Sequence, residues 1–226
     1  MRIPWLLHAS TLAELLPVLV AVPLWSRLPT SLRWIAGWSA FLVAGEVTTF
    51  VLASQRINNH WVNYVGTPIA AGLVLWAVSY WQPSAKGRRA VRMLIPILAV
   101  LWIGMVALVE EMQTFSVVAQ PVLGLALLGV AISTMIIRTI RELGRVRDQA
   151  WWWVSLGLIV SFGTTVAFAP AAYLLLETAP QLLIRAYEVR AALTVFAFLL
   201  LTRGMFARMP GRRGHSGSSH GLHGND

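Results

Sequence analysis

The chain has 226 residues, of which 57% are hydrophobic and 12% charged, and its formal net charge is +9. Apolar runs close to the ~20 residues that cross a bilayer recur along it, which excludes an ordinary soluble domain and predicts a polytopic membrane protein. The sequence contains no cysteine, so disulfides, thiolate metal sites and cysteine nucleophiles are excluded.

The apolar runs predict seven transmembrane helices and therefore an all-α fold. The expected bounds are 4–25, 32–53, 61–81, 93–109, 114–137, 151–176 and 182–206. The first run starts like the charged end of a signal peptide, but Glu14 interrupts its apolar part and no small-residue cleavage pattern follows, so it is expected to stay as a helix. Short connections place consecutive helices side by side in one bundle.

The predicted domain organisation is a seven-helix transmembrane domain over residues 1–208 and a disordered cytoplasmic tail over 209–226. The tail consists mostly of Gly, Ser, Arg and His. Its histidines, His215, His220 and His223, allow a metal site as an alternative. A flexible polar end is favoured, because no rigid scaffold or acidic partner accompanies them.

The distribution of Lys and Arg predicts the orientation. Fourteen of the 18 basic residues fall on one side, in the first, third and fifth loops with their flanks and at the end of helix 7 with the tail. Because cytoplasmic loops carry an excess of Lys and Arg, the N-terminus is expected outside and the C-terminus in the cytoplasm. Basic residues in short loops are explained by topology, so nucleic acid is not expected as a partner.

Tryptophans lie near the ends of several predicted spans. They include Trp25, Trp34, Trp61, Trp81 and the run from Trp151 to Trp153. This placement is typical of an aromatic belt at the membrane interface. An aromatic cage or a pigment-contact surface is the alternative interpretation.

Three charged residues interrupt the apolar spans at similar depths. Glu14 lies near the middle of helix 1, and Glu46 and Arg190 lie about 5–6 Å outward of the middle of helices 2 and 7. A charge in hydrocarbon costs at least ~2.5–3.5 kcal/mol on insertion scales, so such residues face a bundle interior or a watery cavity. If helix 7 closes against helix 1 and approaches helix 2, Arg190 is expected to pair with Glu14, Glu46 or both.

Helical periodicity adds polar side chains that are expected to face inward, nearly all of them in the outer half of the bundle. The candidate ligand-binding or buried polar residues are Glu14, Glu46, Asn59, His60, Asn63, Tyr64, Thr67, Gln120, Tyr187 and Arg190. Polar groups converging from several helices predict a pocket for a small ligand. The alternative is that they only hold the helices together, at ~0.6 kcal/mol each on average.

Residues 56–64 read Arg-Ile-Asn-Asn-His-Trp-Val-Asn-Tyr and are followed by Thr67 and Pro68. This segment resembles the outer start of the third helix in uncharacterised bacterial seven-helix integral membrane proteins, which carry paired Asn and then Trp there. The resemblance implies a multi-pass protein of the cell (inner) membrane and no established activity.

The region of the third helix also resembles that of microbial rhodopsins, in the residues Arg56, Trp61, Thr67 and Pro68. A retinal Schiff base needs a lysine amine within the bundle, and the one lysine, Lys86, is predicted in a loop. Covalent retinal is therefore excluded, and the sequence identifies no other cofactor.

The sequence carries no His-Glu-x-x-His, Gly-x-Ser-x-Gly or phosphate-binding loop, so an enzyme is not expected. The predicted function is a receptor-like or sensory protein that binds a small polar or anionic ligand in an outward-facing pocket between helices. Two alternatives stay open: an accessory or structural subunit of a larger membrane complex, such as an energy-converting assembly, and a small transporter. The expected partners are the lipid bilayer, the ligand and a protein at the cytoplasmic loops or the rim.

Overall fold

The computed structural model describes residues 5–110, 116–142 and 146–207, without the side chains of Leu7, Glu177 and Pro180. The predicted tail, 209–226, lies outside these ranges. Within them the chain forms seven α-helices and one short 3-10 helix, Val146–Asp148. The α-helices are α1 (Trp5–Leu24), α2 (Thr30–Ser54), α3 (His60–Ser79), α4 (Ala85–Val109), α5 (Ala119–Arg141), α6 (Ala150–Thr178) and α7 (Pro180–Phe206). The predicted all-α bundle is confirmed.

Six of the helices, α2 to α7, are long and apolar enough to cross a membrane. In α1 the apolar stretch is shorter and covers His8–Leu24. Large apolar side chains point outward along the spans; Leu108 is 86% exposed, Val100 71% and Phe50 69%. A helix that is apolar on its outer face is stable only where lipid covers that face, so the chain is a multi-pass membrane protein.

The helices form a closed ring in chain order. Each helix packs against the next, and α7 packs against α1, as the sequence predicts. Trp38 of α2 lies at the centre, with its ring stacked at 5.6 Å on Phe198 of α7 and 6.2 Å from Phe162 of α6. Through Trp38, α2 reaches across to the far side of the ring.

The largest departures from the predicted helix bounds are at the starts of α4 and α5. Helix α4 begins at Ala85 and not at 93, because Ser84 caps it by accepting the Gly87 N–H at 3.0 Å. Lys86, predicted in a loop, therefore lies in the first turn of α4, where it is exposed. Helix α5 begins at Ala119 and not at 114, because Glu110 binds the backbone at that point.

Helix α2 ends in a turn that positions the Asn-Asn-His-Trp segment. Arg56 has a φ of 58°, in the left-handed region where glycine is usual. The N–H of Ile57 bonds the Leu52 carbonyl and the N–H of Arg56 bonds the Ala53 carbonyl, which is the Schellman pattern. The reversal brings Asn59 back beside the last turns of α2.

Helices α6 and α7 approach each other closely at two glycines. A Cβ on Gly157 would lie 2.8 Å from the Ala197 carbonyl oxygen, and one on Gly204 would lie 2.6 Å from Cγ2 of Val154. Small residues that let backbones touch are the usual basis of helix association in lipid. This contact fixes the C-terminal half of α7.

Candidate functional site

Glu14, Glu46 and Arg190 lie at similar distances from one end of the bundle. Glu14 is nine residues after the start of α1, Arg190 ten after the start of α7, and Glu46 eight before the end of α2. At ~1.5 Å per residue these positions are ~12–15 Å from the helix ends on that side. The charges of the three side chains lie close enough to interact electrostatically. We call these residues the charge cluster.

Glu14 is the buried member of the charge cluster. It is 8% exposed, and its Oε2 atom has no hydrogen-bond partner. The hydroxyl of the fully buried Ser39 donates to the backbone carbonyl of Glu14, which ties α1 to α2 at this depth. Pro17, one turn further on, has no N–H, so the helical bond to the Ala13 carbonyl is missing in the same turn.

Arg190 is half-buried and is held by aromatic rings. Its guanidinium carbon lies 4.7 Å from the centre of the Phe168 ring on α6. Tyr187, one turn before Arg190, packs edge-on against Phe168 at 4.8 Å. A cation over a ring face is attracted by the ring quadrupole, so this contact fixes the side chain.

The predicted ion pair between Arg190 and a carboxylate is wrong in its direct form. Among the described residues, no carboxylate oxygen lies within 4.0 Å of the Arg190 guanidinium. The reason is that Phe168 draws the guanidinium toward α6, whereas Glu14 and Glu46 lie on α1 and α2. Arg190 therefore interacts with both carboxylates only through space.

Glu46 was expected to face inward, and the structure places it on an exposed surface of α2. Its neighbours Val47 and Phe50 are 54% and 69% exposed, because the C-terminal half of α2 is sparsely covered. Ser39 and Thr49, predicted on the same stripe, are buried and half-buried. Glu46 therefore forms the open rim of the charge cluster.

In the third-helix segment, some residues make structural hydrogen bonds and others are exposed. Asn59 donates to the Thr49 carbonyl at 3.1 Å, and the N–H of His60 donates to Asn58 at 2.9 Å. Asn63 is exposed and Thr67 is half-buried. The Asn59 bond reaches α2 three residues beyond Glu46, so this segment adjoins the rim of the charge cluster.

Tyr64 and Gln120 serve packing and capping. Tyr64 is buried with its ring 6.3 Å from that of Trp102, whose indole N–H donates to the Tyr64 carbonyl at 3.0 Å. The backbone N–H of Gln120 donates to the Ser116 hydroxyl oxygen at 2.9 Å. Both positions therefore have a structural role in the bundle.

Glu110 is a structural residue that the sequence analysis did not single out. Its Oε1 accepts from the Ser116 hydroxyl at 3.0 Å, from the Val118 N–H at 2.7 Å and from the Ala119 N–H at 2.9 Å. A carboxylate at a helix N-terminus satisfies free N–H groups and complements the helix dipole. The available signal was an acidic residue shortly before a helix start.

Buried polarity is not confined to the half of the bundle that holds the charge cluster, in contrast to the prediction. At the opposite end, Gln82 donates to the Thr134 hydroxyl at 2.8 Å, and both residues are buried. Arg138 donates to the Trp81 carbonyl at 2.6 Å and pairs with Glu142, whose second oxygen accepts from the Trp151 indole N–H at 2.9 Å. This network joins the segment between α3 and α4 to α5 and α6.

The same network changes the interpretation of two tryptophans. Trp81 and Trp151, predicted in the interfacial belt, are only 7% and 4% exposed. The indole N–H of Trp151 donates to Glu142, which holds this side chain inward, and Trp81 takes part in the same network through its backbone carbonyl, which accepts from Arg138. Trp25, Trp34 and Trp61 remain exposed near span ends, where the belt prediction applies.

Two cavities of the bundle are apolar. A groove of about 310 Å³ lies between α5 and α6 and is lined by Ile132, Met135, Ile136, Thr139, Ile140 and Trp152. A cavity of about 10 Å³, room for one water at most, lies between α3, α4 and α5. Neither is lined by a residue of the charge cluster.

Comparison of the chain with protein-family models, with curated proteins and with solved structures found no match. The fold and the charge cluster therefore carry the functional argument. They define a multi-pass helical membrane protein with ionisable groups at membrane depth.

Proposed function

We propose that this protein is a receptor-like or sensory membrane protein that binds a small polar ligand at the charge cluster. The ligand carries an anionic group, which binds Arg190, and a hydrogen-bond donor, which binds Glu14. The observation that carries the proposal is Arg190, a half-buried guanidinium at membrane depth that the described protein leaves without a carboxylate within 4.0 Å.

The position of Arg190 supports anion binding. A cation within a membrane span is expensive, and its cost is lowest where it meets a counter-ion or a water-filled cavity. The Phe168 ring holds the carbon of the guanidinium at 4.7 Å and leaves its N–H edge for a ligand. A guanidinium presents a planar fork of donors that matches a carboxylate or phosphate.

The state of Glu14 supports a ligand with a donor group. A buried carboxyl oxygen without a partner is destabilising by roughly 1–3 kcal/mol, and a ligand N–H or O–H that reaches it removes this penalty. Two carboxylates and one guanidinium together complement a molecule that carries both kinds of charge. Amino acids fit this description, and hydroxy acids supply the anionic group together with a neutral O–H donor.

The proposal includes an orientation. With the N-terminus outside and the C-terminus in the cytoplasm of an inner membrane, the charge cluster opens outward, and the loops rich in Arg face the cytoplasm. A signal would pass to a protein partner at those loops or at the tail.

The test is a thermal-shift screen of the purified full chain against amino acids, hydroxy acids and phosphate esters. A ligand at 100 times its dissociation constant stabilises the folded state by ~2.7 kcal/mol, which raises the melting temperature measurably. Arg190→Gln should abolish that rise. The matched control is Arg185→Gln on the same helix, because Arg185 is 80% exposed and, within the described residues, its one ion pair is with Glu188.

Two outcomes would contradict the proposal. One is a ligand-induced rise that Arg190→Gln leaves unchanged. The other is a panel in which no compound shifts the wild-type melting temperature at millimolar concentration. Folding of the variant is checked by its melting temperature without ligand.

A second candidate function, an accessory subunit of a larger membrane complex, is favoured by Glu46. An exposed carboxylate within a span is costly in lipid and is covered in a complex by a partner helix with a donor. Cross-linking from position 46 in intact membranes tests this candidate. Adducts with another membrane protein favour it, whereas a label that reacts only with lipid or water argues against it.

A further inference from the structure

The first two turns of α4 form a strongly basic face. A stretch of seven residues contains four cations, Lys86, Arg88, Arg89 and Arg92. No acidic residue occurs from Ser79 to Val109. In the described part of the chain none of the four makes an ion pair within 4.0 Å. Four positive charges at the end of a membrane-spanning helix are thus left without a partner of opposite charge.

Aromatic side chains of α3 border these cations. The guanidinium carbon of Arg92 lies 4.1 Å from the Trp76 ring centre and 5.2 Å from that of Tyr80. The guanidinium carbon of Arg88 lies 5.9 Å from the Tyr80 ring. We call the four cations together with Trp76 and Tyr80 the basic aromatic face.

We propose that the basic aromatic face binds the phosphate headgroup of an anionic phospholipid. Arg92 is half-buried, and its Nε donates to the Ser79 hydroxyl at 3.1 Å. The two rings and Ser79 therefore fix one side of the guanidinium and leave its terminal amino groups to bind phosphate oxygens. A pre-oriented guanidinium loses little side-chain entropy when it binds an anion.

The positions of the four cations along α4 place them at the level of the lipid headgroups. Arg92 lies seven residues into α4, ~10 Å from the helix start, and long side chains in helices point toward the N-terminus. Its charged end therefore extends toward Arg88 and Arg89 at the membrane surface, in the manner of a snorkelling residue. Ser84 already caps the helix, so the side chains provide the binding groups.

The positive charge of the basic aromatic face determines which kind of lipid headgroup it prefers. The bilayer necessarily surrounds this end of α4, so a phospholipid headgroup is always within reach. A zwitterionic headgroup leaves the four charges unbalanced, whereas an anionic one neutralises part of them. Each Lys or Arg at a membrane surface strengthens binding to anionic lipid roughly fivefold.

The test uses the full chain in nanodiscs of equal parts phosphatidylglycerol and phosphatidylcholine, with retained lipids counted by native mass spectrometry. Arg88→Gln with Arg89→Gln should lower the retained ratio of anionic to zwitterionic lipid by roughly 25-fold. The matched control is Arg141→Gln with Arg147→Gln, which removes two exposed cations from the other loop at the same end. The control should lower the ratio clearly less than the test pair does, because its two cations do not belong to the basic aromatic face.

The replacements Arg88→Lys and Arg89→Lys should restore most of the preference, because they retain the point charges. Equal losses in the test and control pairs would show diffuse attraction by net charge, which overturns the proposal. An unchanged ratio in the Gln pair overturns it as well. If that pair does not fold in phosphatidylcholine alone, Lys86→Gln with Arg89→Gln, two exposed positions, takes its place with the same criteria.

Discussion

The contact between α6 and α7 allows a sharp test with one substitution at two positions. Gly157 and Gly163 both lie in α6, but only Gly157 faces α7. A Cβ on Gly157 would lie 2.8 Å from the Ala197 carbonyl oxygen and 2.8 Å from Cγ of Leu201, whereas one on Gly163 meets nothing within 4 Å. The comparison is therefore between a crowded and an open site on one helix.

The expected destabilisation by Gly157→Ala follows from the distances between its new Cβ and the atoms of α7. An ordinary carbon to carbonyl-oxygen contact is ~3.3–3.6 Å, so alanine at 157 requires α6 and α7 to separate by roughly 0.5–0.8 Å. The Ala197 oxygen belongs to the backbone and cannot rotate away. Overpacking of this kind costs about 1–3 kcal/mol. The gain in helix propensity from Gly to Ala, up to ~1 kcal/mol, is common to both variants and cancels.

We therefore expect Gly157→Ala to be less stable than Gly163→Ala by about 1–3 kcal/mol. The assay is reversible unfolding of the two variants and the wild type in mixed micelles, with one denaturant series for all three. Equal stability of the two variants would refute the close approach of α6 and α7. Greater stability of Gly157→Ala would refute it more strongly.

The remaining predictions concern topology, capping and the charge cluster. Reporter fusions after Glu111 should behave as external and those after Arg145 as cytoplasmic, and the reverse pattern would invert the orientation. Glu110→Ala should cost about 0.5–2 kcal/mol of stability, while Glu110→Gln, which keeps an acceptor oxygen, should lose less in the same melt. In a double-mutant cycle on folded stability, Glu14→Gln and Arg190→Leu should be non-additive by at least ~0.5 kcal/mol. Simple additivity there would mean that the two charges do not interact.

The local sequence alone was sufficient to predict the helices and the depth of the three charged residues along them. An apolar run of bilayer length is helical in lipid because every backbone group must bond within its own segment. Depth then follows from the ~1.5 Å rise per residue, which places Glu14, Glu46 and Arg190 at one level before any contact is known. The start of α4 was predicted wrongly because the helix continues through its cations, beyond the apolar run.

Tertiary packing decided what each of these side chains touches. Arg190 turns to Phe168 and not to a carboxylate, Glu46 is exposed at the rim, and Trp151 is buried against Glu142. Each result depends on how far a helix is rotated about its own axis and on which residue of a distant helix lies opposite. Long-range contacts such as the one between Gly157 and Ala197 set that rotation, and local periodicity carries no information about them.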